Sequence, residues 1–66
     1  MKPKELRELS IPELKERLVK LREELMNLRF QKSIHKLENP MRIRQVRREI
    51  ARVLTILREK ERGLNQ

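Results

Sequence analysis

The sequence predicts an all-α protein, an antiparallel two-helix hairpin with a short N-terminal helical segment. Apolar residues recur at spacings of three and four in two long stretches, as the buried face of an α-helix requires. Between them stands Asn39-Pro40, a pair typical of a helix start. So short a connection makes neighbouring helices antiparallel. We therefore expect a single domain at 1–66, comprising a segment at 1–9 and helices at about 11–35 and 40–62.

The first long helix is expected to begin near residue 11. Ser10 and Glu13 have the spacing of a capping box, in which each side chain accepts a hydrogen bond from a backbone amide at the helix start. Pro12 falls in the first turn, where its missing N–H costs little. One apolar stripe then follows the helix: Ile11, Leu14, Leu18, Leu21, Leu25 and Leu28.

The same helix carries a second apolar strip, formed by Val19, Met26 and Phe30. At about 100° per residue it lies more than a third of a turn from the first stripe. Ile34 and Leu37 are also off the stripe, but a helix that ends near them would let both fold back over the hairpin end. The strip has no such explanation, so we expect it to face a neighbouring protein or to be covered by the loop.

The second long helix is expected to start at Asn39-Pro40 and to end near the only glycine, Gly63. No helix breaker lies between these positions. Its apolar stripe should pack face to face against the first stripe, and it comprises Ile43, Val46, Ile50, Val53, Leu54 and Leu57.

The composition favours a polyanionic partner and argues against an enzyme. Lys and Arg number 18 against 10 acidic residues, a net charge of +8 on 66 residues. Cysteine is absent and His35 is the only histidine, so disulfides are excluded and neither a metal site nor another cofactor is expected. Paired titratable groups and a glycine-rich loop are also missing from the pattern. Stability in so short a chain must come from helix packing and a partner.

The expected location is the cytoplasm. No segment of the sequence approaches the roughly 20 apolar residues needed to span a bilayer. The first residues also lack the apolar stretch of a signal peptide.

Arginines segregate to one side of the second helix. We call this set the arginine face, and on a helical wheel it spans about 100° with no glutamate inside it. Only Ala51 and Thr55 share the arc, and these small residues would allow close approach of a ligand's backbone. A plain solvated face usually mixes both signs, whereas arginine grips phosphate oxygens in pairs, so nucleic acid is favoured over a membrane or an acidic protein. The arginine face comprises Arg44, Arg47, Arg48, Arg58 and Arg62.

A second group of polar residues gathers at the end of the first helix. The positions of Lys32 and Lys36 have two possible explanations. Cations at a helix C-terminus either contact RNA or complement the helix dipole. His35 fits a spectator or a hydrogen-bond donor better than a catalyst, and Phe30 fits packing better than stacking on a base. The group comprises Arg29, Gln31, Lys32, His35 and Lys36.

Three stretches of the chain resemble one known family, the bacterial large-subunit ribosomal protein L twenty-nine. They are MKPKELRELS at 1–10, NLRFQ at 27–31 and NPMRIRQVRREIARV at 39–53. At matching spacing and length, the likeness covers nearly the whole chain. Relatives often have glycine or another small residue where this chain has Ile34-His35, so the first helix is expected to run longer here.

This resemblance implies a long helical hairpin that binds large-subunit ribosomal RNA beside the exit of the nascent-chain tunnel. It implies ribosomal protein L twenty-three as a neighbour, with targeting factors and chaperones docking nearby, and a structural role in translation. By position, the RNA contacts it implies are Arg29, Gln31, Arg44, Arg47, Arg48 and Arg52.

Two other functions fit parts of the sequence. A dimeric helical module that binds DNA or an acidic protein partner would use the leucine stripes between chains, but the Asn39-Pro40 break favours an internal hairpin. A membrane-surface peptide would have a similar basic face. Such peptides usually carry interfacial aromatics, and this chain has no Trp or Tyr.

Overall fold

A computed structural model describes residues 2–63 as three α-helices and no β-strand, which confirms the predicted all-α class. The helices are α1 (Pro3–Arg7), α2 (Ile11–Ser33) and α3 (Met41–Gly63). The two long helices pack against each other as a hairpin, and α1 packs against α3. The molecule measures 48 × 17 × 13 Å. Met1 and 64–66, which belong to the predicted domain, lie outside the described residues.

The start of α2 has the predicted capping box. The Ser10 hydroxyl accepts a hydrogen bond from the Glu13 amide at 3.3 Å, and the Ser10 amide donates to Glu13 Oε1 at 3.1 Å. Pro12 lies in the first turn, as expected. Two of the free amides at the helix start are therefore satisfied by side chains.

The end of α2 differs from the prediction, because the helix stops at Ser33 and does not run on to 35. His35 has a positive φ of 59°, a left-handed conformation that ends the helical path. The Lys36 amide donates to the Gln31 carbonyl at 2.8 Å, and the His35 amide to the Lys32 carbonyl at 3.1 Å. These two bonds form a Schellman motif, which usually has glycine at the left-handed position.

The start of α3 follows the predicted Asn-Pro signal. Asn39 Oδ1 accepts a hydrogen bond from the Met41 amide at 3.1 Å, and Pro40 lies between them where its missing N–H costs nothing. Within the short connection, Leu37 is half-buried and Ile34 is 43% exposed.

The core confirms both predicted stripes, since each of their residues is buried or half-buried. Two buried residues lie outside the stripes. Leu6 of α1 is fully buried, and Ile56 of α3 is 2% exposed beneath α1. The short N-terminal helix therefore extends the core along one side of α3. The buried residues are Leu6, Leu14, Leu18, Leu21, Val46, Val53, Ile56 and Leu57.

Truncating a core leucine should destabilise the hairpin far more than truncating an exposed valine on the same helix. Leu14 is fully buried and Val19 is 55% exposed. We expect Leu14→Ala to lower the free energy of unfolding by about 2–5 kcal/mol and Val19→Ala by about 0.5 kcal/mol or less. Urea denaturation followed by circular dichroism measures both. Equal losses would contradict the assignment of the core.

Glycine at position 35 should stabilise the turn. Because His35 has a φ of 59°, an L side chain there is strained, and glycine relieves that strain while adding freedom to the unfolded chain. We expect a net gain of roughly 0.5 kcal/mol for His35→Gly and a loss for β-branched His35→Val. Thermal melts of the two variants check the signs. A higher melting temperature for His35→Val than for His35→Gly would contradict the left-handed geometry.

Candidate nucleic-acid interface

The packing of α3 on α2 fixes the direction of the arginine face. Val46, Val53 and Leu57 are buried on one side of α3. The arginines are exposed, and on the helical wheel the centre of their arc lies opposite this buried stripe. Every arginine of the face is exposed: Arg44, Arg47, Arg48, Arg58 and Arg62.

The structure places all of the sequence-predicted RNA contacts on the surface. Each is accessible to a ligand, and its role in RNA binding stays a prediction. The exposed residues are Arg29, Gln31, Lys32, His35, Lys36, Arg44, Arg47, Arg48, Arg52 and Arg58.

Four residues of the polar group at the end of α2 line two shallow depressions at the turn. Lys32 and His35 line one shallow depression at the turn, together with Pro40. Gln31 and Lys36 line another, which includes Asn39 and Arg42. Leu37 lines both depressions, so the two pairs are neighbours at the turn.

The small residues of the arginine face have a neighbour that the sequence did not predict. Ala51 and Thr55 line a cleft whose other wall is Pro3 and Arg7 of α1. The Thr55 hydroxyl donates to the Ala51 carbonyl at 2.9 Å, which satisfies this hydroxyl within its own helix. Arg52 lines the same cleft. Helical periodicity alone gives no sign of this cleft, because it depends on where α1 docks.

Arg7 is a basic residue at the interface that sequence reasoning missed. Its Nε lies 3.3 Å from Glu59 Oε2, and both side chains are half-exposed. This ion pair joins α1 to α3 at the border of the arginine face. Since the two partners are 52 positions apart, no local signal in the sequence could have indicated the pair.

Arg42 joins the two long helices and takes no part in the arginine face. Its Nε and Nη2 donate to the two carboxylate oxygens of Glu24 at 2.7 and 3.1 Å. These hydrogen bonds raise the pKa of the Arg42 guanidinium above its ordinary value. Because both side chains remain more than a third exposed, solvent screens the pair and limits its contribution to about 1 kcal/mol or less.

Another side of the hairpin carries both signs of charge. Lys20 Nζ pairs with Glu16 Oε1 at 3.4 Å, one helical turn away. This mixed-charge groove is therefore an ordinary solvated surface, unlike the acid-free arginine face. Its lining comprises Leu9, Glu13, Glu16, Arg17, Lys20, Leu21, Glu24, Arg42 and Glu49.

The apolar strip of α2 is exposed, and the loop does not cover it. Val19 is 55% exposed, Met26 65% and Phe30 63%. The alternative that the connection folds over this strip is therefore wrong. An uncovered apolar surface of this kind is typical of a contact with another molecule.

Residues 2–63 contain neither a metal-binding cluster nor a membrane-spanning helix. Within this part of the chain, no three acidic, histidine or cysteine side chains are grouped so that they could hold a metal ion. None of the helices described there has both the length and the apolar character needed to cross a membrane.

Comparison with known proteins identifies the family. The model of the family described as Ribosomal L29 protein matches residues 4–60. The chain belongs to this family. It is thus a ribosomal protein and not an enzyme, and the resemblance predicted from three short stretches is confirmed.

Several curated relatives are similar to the chain over its length, and each is named large ribosomal subunit protein uL29. The protein of Caldanaerobacter subterraneus is 58% identical over 66 residues, all of both chains. That of Carboxydothermus hydrogenoformans is 62% identical over 61 residues, 92% of this chain and 88% of the relative. The Geobacillus stearothermophilus protein is 53% identical over the full length of both.

The capping box at the start of α2 should be visible in a titration. Hydrogen bonds from the Ser10 amide, then from its hydroxyl, lower the pKa of the Glu13 carboxyl, and the charge of Lys60 adds to this. The Glu13 carboxylate therefore stabilises the folded state above its ordinary pKa, and this stabilisation is lost as the pH falls through the lowered value. We expect Ser10→Ala to raise the Glu13 pKa, measured by carboxyl-carbon NMR. An unchanged pKa would contradict the capping geometry.

Proposed function

We propose that this ribosomal protein is a structural constituent of the large ribosomal subunit and binds large-subunit ribosomal RNA through its arginine face. The observation that carries the proposal is the exposed, acid-free row of arginines on α3, which the hairpin holds away from its own core. Membership of a ribosomal family supports RNA as the polyanion.

The row of arginines has the chemistry and the length to follow an RNA backbone. From Arg44 to Arg58 the helix rises about 21 Å at 1.5 Å per residue, a distance that covers several successive phosphates. Each guanidinium can donate two parallel hydrogen bonds to one phosphate. A regular helix keeps the backbone positions of these groups fixed, so binding costs little backbone conformational entropy.

The end of α2 extends the proposed contact towards the turn. Lys32 and His35 line one depression at the turn, and Gln31 and Lys36 line a neighbouring one. RNA that follows α3 to its N-terminal end would meet these residues at the turn. We include Arg29 and Arg52 among the proposed contacts, since both are exposed and match the family pattern.

We also propose a protein neighbour on the apolar strip of α2. The family resemblance implies ribosomal protein L twenty-three, a position near the nascent-chain tunnel exit, and targeting factors or chaperones docking nearby. The exposure of Val19, Met26 and Phe30 supports a protein contact, because none of them is needed for the hairpin. The dimeric alternative loses its basis, since both leucine stripes are already used within one chain.

Reversing two charges on the arginine face should weaken RNA binding without unfolding the protein. We expect Arg47→Glu combined with Arg48→Glu to lower affinity for large-subunit RNA by roughly tenfold or more, because two phosphate contacts become repulsive. Both residues are exposed, so helicity by circular dichroism should hardly change. Filter binding at several salt concentrations measures the affinity and its salt dependence.

The matched control makes the same change of charge elsewhere on the molecule. Lys15 and Lys20 are exposed on the first half of α2, so Lys15→Glu combined with Lys20→Glu should reduce affinity much less. Equal losses in the two double variants would show that net charge alone drives binding. Loss of helix content at wild-type affinity would show that Arg47 and Arg48 have a structural role instead.

Polar substitutions on the apolar strip should separate the two proposed contacts. We expect Met26→Gln combined with Phe30→Gln to weaken association with ribosomal protein L twenty-three by about tenfold or more, since burial of each side chain stabilises a complex. RNA affinity should stay within about twofold of the wild type, because no charge changes. Pull-down with the purified partner and filter binding measure the two effects. A loss of RNA affinity alone would assign the strip to RNA.

A further inference from the structure

The cleft between α1 and α3 is an apolar depression beside the arginine face. Its floor is Ile56, which is 2% exposed. Pro3 and Arg7 form the wall on α1, and Ala51 and Arg52 belong to the wall on α3. The cavity measures about 260 Å³. This is slightly below the roughly 300–1,000 Å³ of typical small-molecule pockets, so it suits one ring system better than a whole ligand.

Positive charge surrounds this cleft. Arg7 and Arg52 line it directly, and Arg48 precedes Arg52 by one helical turn on the same side of α3. Arg58 follows Thr55 by three residues and continues the charge beyond the cleft. Glu59 beside the cleft pairs with Arg7. A neutral ring could only stack on a guanidinium, whereas a ring joined to phosphates would also pair with the positive charges.

We propose that the cleft receives one unstacked base of the RNA that lies along the arginine face. This inference rests on the proposed RNA-binding function and assigns a subsite to it. The planar guanidinium of Arg52 offers a surface on which a base can stack. Pro3, above the buried Ile56, offers apolar contact to the rest of the ring, while the flanking phosphates remain within reach of the arginine face. The small side chain of Ala51 keeps the entrance open.

Filling the cleft tests the subsite while leaving every charge in place. Ala51 is exposed on α3 and leucine is a good helix former, so Ala51→Leu narrows the entrance at little cost to the helix. Ala51→Ser leaves the cleft open and is the matched control. Each protein is bound to large-subunit ribosomal RNA, and the RNA is then probed chemically. Hydroxyl radicals report protection of the RNA backbone, and base-specific reagents report unpaired bases.

We expect wild-type protein and Ala51→Ser to protect a single-stranded base next to the backbone footprint. With Ala51→Leu that base should become reactive while the backbone footprint remains, and affinity should fall by about fivefold or more. The salt dependence should stay unchanged, because the number of phosphate contacts is the same. Retained helicity and melting temperature show that α1 is still docked.

A second variant tests the stacking surface and does not depend on filling the cleft. Arg52→Lys keeps the positive charge but removes the planar group, so it should expose the same base at an unchanged salt dependence. If the base is as well protected by Arg52→Lys and by Ala51→Leu as it is by the wild-type protein, the proposed subsite is wrong.

The two proposals fail in different ways. Absence of any backbone footprint with the wild-type protein would overturn the RNA-binding function itself. A backbone footprint without a base that depends on the cleft would overturn the subsite alone. If Ala51→Leu leaves all RNA protections intact but abolishes association with another ribosomal protein, the cleft takes a peptide side chain and the base subsite is likewise overturned.

Discussion

Burial of one leucine stripe of α2 against the valine and leucine stripe of α3 sets the direction of every charged side chain in this protein. Because an α-helix turns by about 100° per residue, fixing the buried side of α3 leaves its arginines on the outside. The packing must also overcome repulsion within a chain of net charge +8. The ion pairs Arg7–Glu59, Lys20–Glu16 and Arg42–Glu24 are all at least one-third exposed and contribute little, so the hydrophobic contact between the long helices is the main source of stability.

The charged residues are of two kinds: those that form ion pairs within the protein, and those of the arginine face. Arg42 and Arg7 each bind a glutamate of another helix and so help to join the helices. The mixed-charge groove beside Arg42 contains both signs at pairing distances. The arginine face contains no acid, so its charges are available to a polyanion. A ribosomal protein of 66 residues can therefore use one helix both as half of its core and as its proposed RNA-binding surface.

Much of this architecture could be predicted because its causes are local. The capping box at Ser10, the Asn-Pro start of α3 and both apolar stripes depend on spacings within one helix, and the structure confirms each. The missed features depend on distant contacts. The docking of α1, the burial of Ile56 and the cleft beside Ala51 require knowing where a five-residue helix packs. The left-handed turn at His35 was also missed, because histidine only occasionally takes the conformation that glycine favours.

The most direct test of the central claim is to observe the arginine side chains themselves. In protein with labelled arginine, NMR follows each Nε–H group as large-subunit ribosomal RNA fragments are added. If the hairpin presents one face to RNA, the signals of Arg44, Arg47, Arg48 and Arg58 will shift together, while those of Arg17 and Arg42 on the mixed-charge groove will stay in place. Uniform shifts of all arginines, or shifts confined to Arg17 and Arg42, would contradict the claim that helix packing selects the RNA-binding surface.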